Sequence, residues 1–128
     1  MKTICLDFDG VIHSYKSGWQ GACNISDPPV PGAIPFLREA VKHFKVCIFS
    51  SRSHQPGGIR AMGEWLGYHV LDQRLNDQED LAWASAIEFS THKPSAFWSL
   101  DDRAATFTGK WPTIEEITAF KPWYQQKQ

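Results

Sequence analysis

The sequence predicts an α/β fold in which helices cover both faces of a parallel sheet, formed by a single domain over residues 1–128. Three observations predict it. Short apolar runs at residues 2–8, 45–50 and 97–100 have the length of strands, and each runs into polar residues. Helical stripes separate them. Strands that alternate with helices pair in parallel, because each crossover helix must pack back onto the sheet.

The elements follow in order. Residues 2–8 read as a first strand, buried on both faces from Ile4 onward. Residues 13–31 are rich in Gly, Ser, Pro and Asn and read as a loop or small hairpin, so that 12–31 form a flap rather than a folded domain. Ile34, Leu37, Val41 and Phe44 then recur on one helical face, with Pro35 tolerable only in the first turn. Residues 45–50 are a second strand. Ile59, Met62 and Leu66 mark a second helix, which Gly67 is placed to stop. Over 68–90 the reading is a strand at 68–71, a polar helix at 77–86 and a strand at 87–90. Residues 97–100 are a strand entering Asp101 and Asp102. Thr113 and Glu116 form a capping-box pattern for a last helix bearing Ile114, Ile117 and Phe120, which Pro122 ends. The tail 125–128 is expected to fray.

Composition narrows the setting. A hydrophobic content of 42% and a formal charge of −1 fit an ordinary globule, with no global attraction to nucleic acid or anionic membrane. Asp7 and Asp9 interrupt the one apolar stretch near the N-terminus, so neither a leader nor a membrane anchor is expected. Cys5, Cys23 and Cys47 lack metal-ligand spacing, and two of them sit in apolar runs as buried free thiols would. A reducing cytoplasm suits that usage. Most of the six tryptophans are expected in the core.

The polar residues that end the strands carry the chemistry. In chain order they are Asp7 and Asp9, Ser50, Lys93 ahead of the last strand, and Asp101 and Asp102. All fall at the carboxyl edge of the sheet, where such folds bind ligands. Asp7 and Asp9 share a face of the strand, and Gly10 permits a sharp turn behind them. Two adjacent carboxylates repel unless a cation or a shared proton lies between them. Mg²⁺, which prefers oxygen ligands and shares its shell with phosphate, suits Asp7, Asp101 or Asp102, and Asp9 through its backbone carbonyl. An aspartate can attack phosphorus, and a second carboxylate two residues on can handle the proton. Ser50, or Ser51 beside it, would hold phosphoryl oxygens while Lys93 neutralises their charge. Arg52 serves equally well as a phosphate ligand or in a surface salt bridge. His13 and Tyr15 follow the aspartates in the covering loop, where an exposed histidine is the plainer expectation.

D-F-D-G-V at 7–11, F-S-S-R at 49–52, H-K-P at 92–94 and L-D-D-R at 100–103 resemble, in order, the four motifs of the haloacid dehalogenase (HAD) superfamily. The resemblance implies a Rossmann-like three-layer α/β/α fold and Mg²⁺-dependent hydrolysis of a phosphomonoester through an aspartyl phosphate. It implies Asp7 as nucleophile, Asp9 as general acid/base, Ser50 as phosphate ligand, Lys93 as charge-balancing base, and Asp101 and Asp102 as metal carboxylates. An acid at position 9 resembles the phosphatase branch. Residues 12–31 are too few for a cap domain and 53–92 are consumed by the core, so the chain resembles an uncapped member. An open site suits a nucleic-acid end, a phosphoprotein or closure by another subunit. A nucleotide or sugar phosphate also fits, because Tyr15 and Trp19 can stack on it. A non-catalytic phosphate-binding module on the same scaffold is the remaining alternative.

Overall fold

The structure is a computed structural model that describes residues 1–73 and 77–126. Residues 127–128 of the tail expected to fray lie outside the described residues. Four strands form one sheet: β1 (Thr3–Leu6), β2 (Lys45–Ile48), β3 (Glu88–Phe89) and β4 (Trp98–Leu100). Four α-helices accompany them: α1 (Ala33–Ala40), α2 (Gly58–Asp72), α3 (Asp77–Ser85) and α4 (Ile114–Thr118). Two 3₁₀ turns occupy Ser51–His54 and Trp123–Gln125. The strand order is β3-β2-β1-β4 and every pairing is parallel. The chain therefore works outward from β1 to β2 and β3, then returns to place β4 on the other side of β1. That reversal at β1 is a topological switch point, the place where parallel sheets open a crevice.

One face of the sheet carries the core. Ile4, Leu6 and Phe8 point to the same side of β1 by strand alternation, and they pack with Val46 and Ile48 against Ile34 and Leu37 of α1 and Met62, Leu66 and Val70 of α2. Pro35 sits in the first turn of α1, where its missing N–H costs nothing. Cys5 and Cys47 are register partners facing the opposite side; both are buried and free, as their apolar settings predict.

Three expectations are corrected. Gly67 does not end the second helix, and 68–71 are not a strand: α2 continues to Asp72. A glycine inside a helix costs about 1 kcal/mol relative to alanine. Continuing the helix buries Val70 completely, and a buried valine contributes roughly 1.5–3 kcal/mol, so burial wins. The third layer is thin. Among the described residues, β3 and β4 are joined by irregular chain without a helix, and α4 buries none of its residues. The tryptophans follow from that. Trp65 is in the core, whereas Trp19 in the flap and Trp98, Trp111 and Trp123 are 46–80% exposed; among the described residues no helix covers β4 or the segment beyond it, which leaves the last three in the open. An apolar trough of about 370 Å³ runs beside β4, lined by Ile4, Phe36, Phe44, Phe97 and Trp98. No described helix is long and apolar enough to cross a membrane.

Candidate active site

Register brings the acids together. Leu6 pairs with Leu100, so Asp7 and Asp101 leave the sheet side by side, tied by a hydrogen bond from the Asp7 amide to the Leu100 carbonyl at 2.9 Å. Oxygens of Asp7, Asp101 and Asp102 lie within 4.8 Å of one another. Gly10 makes this possible. Its φ of +81° is left-handed, and a Cβ there would stand 2.5 Å from Asp102 Oδ2 and 2.7 Å from the Tyr124 ring. The Asp102 side chain fills that space and is 2% exposed. Asp101 accepts a hydrogen bond from the Arg103 amide, which fixes the turn.

The cluster is electrostatically unfavourable by itself. Burial, then a hydrogen bond with Asp102, then the neighbouring charges of Asp101 and Asp102 push the Asp7 carboxyl up to about 8. A divalent cation would relieve all three effects, and a set of hard carboxylate oxygens matches Mg²⁺. The donor set therefore fits the metal implied by the sequence, with Asp7, Asp101 and Asp102 as its side-chain ligands.

Asp9 belongs to a different network. Its carboxylate accepts from Arg52 Nε at 2.9 and 3.2 Å and from His13 Nδ1 at 2.8 Å. The Asp27 amide donates to His13 Nε2, leaving Nδ1 as the donor to Asp9. Burial works against the charge of Asp27, but two hydrogen bonds from Ser17, with the charge of Lys16 adding to them, outweigh it and hold its carboxyl below the usual range. Arg52 is fully buried. Its Nη1 donates to the carbonyls of Gly21, Ala22 and Asn24, and its guanidinium lies 4.8 Å from the Trp19 ring centre. Through this one side chain the flap is bound to the acid two residues beyond Asp7.

Between the two networks opens a cavity of about 440 Å³. Its lining brings Asp7, Asp9, Asp101 and Asp102 together with Ser50 and Ser51. Ser50 caps the 3₁₀ turn reciprocally with Ser53, which locks it against the strand end. The remaining walls are Tyr15, Phe49, Arg103 and Tyr124.

The structure thus brings together Asp7, Asp9, Ser50, Ser51, Asp101 and Asp102. It does not bring Arg52 or Lys93 into the cavity lining. Arg52 is committed to Asp9 and the flap, so neither a phosphate ligand nor a surface salt bridge describes it. Lys93 is exposed on the loop before β4. His13, expected at the surface, is 1% exposed because its ring stacks with Phe8 and packs edge-on to Trp65 while both nitrogens are hydrogen-bonded. Sequence reasoning missed Trp123 and Tyr124. Trp123 Nε1 donates to the Gly10 carbonyl at 2.7 Å, across 113 positions of sequence. Tyr124 then sits over Gly10, where its hydroxyl accepts from Arg103 and its ring meets Tyr15 edge to face at 6.2 Å. An aromatic pair just after Pro122 was the available signal; α4 itself ends earlier than expected, at Thr118, and Pro122 instead opens the last 3₁₀ turn. Tyr15 holds a left-handed φ of 59°, the sole non-glycine to do so among the described residues. Such strain persists only where the surroundings enforce it.

Comparison of the chain with family models, with curated proteins and with solved structures gave no significant match.

Proposed function

We propose that this protein is a Mg²⁺-dependent phosphomonoesterase of the haloacid dehalogenase type, acting through an aspartyl phosphate. The observation that carries the reading is the convergence of Asp7, Asp101 and Asp102 beside Ser50 in one cavity, at the switch point of a parallel sheet.

Asp7, on the strand end, attacks phosphorus and displaces the alcohol, and water then cleaves the acyl phosphate to return the carboxylate and release phosphate. Bound Mg²⁺ would neutralise the crowded carboxylates and the phosphoryl oxygens. Ser50 Oγ and the Ser51 side of the turn receive the phosphoryl group. Asp9 gives a proton to the departing oxygen and takes one from the attacking water. Arg52 and His13 hold its rotamer for that exchange. Lys93, the charge-balancing base, would reach the cavity by swinging its long side chain inward.

The geometry favours a small substrate over a nucleic-acid end. A nucleic-acid end would need a basic groove near Arg52, Arg60 and Lys93, but Arg52 is buried and Arg60 is paired with Glu64 at 2.9 Å.

The test is phosphate release from an aryl phosphate with Mg²⁺ and with chelator. The expected outcome is turnover that chelator abolishes and that Asp7→Asn lowers by at least about a thousandfold, with the variant still folded. Turnover that survives both would overturn the proposal.

A further inference from the structure

The cavity walls that the phosphoryl chemistry does not use are three aromatic rings and one guanidinium: Tyr15, Phe49, Tyr124 and Arg103. They come from three separate parts of the chain: the flap, the end of β2 and the segment after β4. Tyr15 is fixed by its left-handed backbone. Phe49 continues β2 and packs against the His54 ring at 5.5 Å. Tyr124 is set by the Trp123 hydrogen bond to Gly10 and by Arg103. Arg103 is 60% exposed and spends one contact on Tyr124 and a longer one on Asp102, so donors of its fork remain free.

We infer that this wall is the subsite for the leaving group, and that the leaving group is a nucleoside: the substrate class is nucleoside monophosphates. The inference rests on the phosphatase reading and goes beyond it. Aromatic faces and an arginine plane recognise nucleobases, which stack on them whatever their sequence identity. Among the described residues the lining contains no Asn, Gln or His, and the carboxylates of Asp7, Asp101 and Asp102 are gathered together, so few groups remain to read the hydroxyls of a bare sugar. A cavity of about 440 Å³ is within the range that takes one small ligand. Trp19, the other flap ring, stacks on Arg52 and is not part of this wall.

Binding can be measured without turnover by titrating Asp7→Asn, in Mg²⁺, with adenosine 5′-monophosphate and with ribose 5-phosphate by calorimetry. The nucleotide is expected to bind about tenfold tighter or more, as one stacked base supplies. On the same background, Tyr124→Ala should remove that difference and Tyr124→Phe should retain it, with thermal melts confirming that each variant is folded. Equal affinity for the two ligands, a preference that survives Tyr124→Ala, or no binding of either ligand would overturn the inference. Failure of the unsubstituted protein to hydrolyse any phosphomonoester would instead count against the phosphatase reading, since the binding comparison is decided separately.

Discussion

Two regions supply this site, and they are built in opposite ways. Residues 7–66 place their polar groups in a buried web: Asp9, His13, Asp27 and Arg52 are bonded to one another, and Trp65 donates from α2 to the Asp27 carbonyl at 3.0 Å. The region from β4 onward has almost no interior. Trp98, Phe107, Trp111, Ile114 and Ile117 are 46–80% exposed, and the segment returns to the site through Trp123 and Tyr124. Yet it contributes Asp101, Asp102, Arg103 and Tyr124. The contrast teaches that the Asp7 and Asp9 side of the cavity rests on a rigid frame, whereas the Asp101, Asp102 and Tyr124 side is held by few contacts. Local stability differs across a structure in this way wherever buried apolar contact is unevenly spread.

The largest expected effect breaks the web itself. Arg52→Met keeps much of the volume but removes the cation from Asp9 and the donor from three flap carbonyls. Breaking a buried pair on one side costs about 3–5 kcal/mol, to be read from the denaturant midpoint. A loss below about 1 kcal/mol would mean that the flap is held by something else.

Next comes a paired substitution that sharpens the contrast. Met62→Ala, in the core under α2, should cost about 2–5 kcal/mol. Ile114→Ala, on α4, should stay within about 0.5 kcal/mol. Similar losses at the two positions would show that the C-terminal segment is packed as tightly as the first half.

Apart from the substitutions, a pH dependence probes the seam between the regions. In the fold the Asp7 carboxyl stays protonated up to about 8, against an ordinary value of 3.8. Its contribution to stability is therefore fully present below about pH 4, declines as pH rises, and is lost above about pH 8, with a slope of at most ~1.4 kcal/mol per pH unit. Metal-free protein should melt at falling temperature across that window relative to Asp7→Asn, which cannot ionise there. Mg²⁺ should flatten the difference. A metal-free protein that tracks Asp7→Asn from pH 4 to 8 would remove the electrostatic argument for a cation.

Much of the rigid side was legible in the sequence, because its signals are local. Apolar runs fix β1 and β2, their terminal polar residues are Asp7 and Ser50, and the stripe of α1 is regular. Asp101 and Asp102 were legible for the same reason. What Arg52 does was not, since a cation after a strand reads alike whether it turns outward or into a flap, and three carbonyls some thirty positions earlier decide it. Gly67 misled because a stop signal acts locally while Val70 is buried by tertiary packing. Trp123 and Tyr124 were invisible to periodicity, as their partners lie at the opposite end of the chain.

The place where Trp123 meets Gly10 also sets an order in time. Chains emerge from the ribosome N-terminus first, at about 5–20 residues per second. Asp7 and its strand are made long before Asp101 and Asp102, and Tyr124 later still. The crowding that raises Asp7 is thus absent while β1, α1 and β2 come together, and the three carboxylates confront one another only when β4 docks beside β1. Until β4 docks, Asp7 ends a strand with neither Asp101 nor Asp102 beside it.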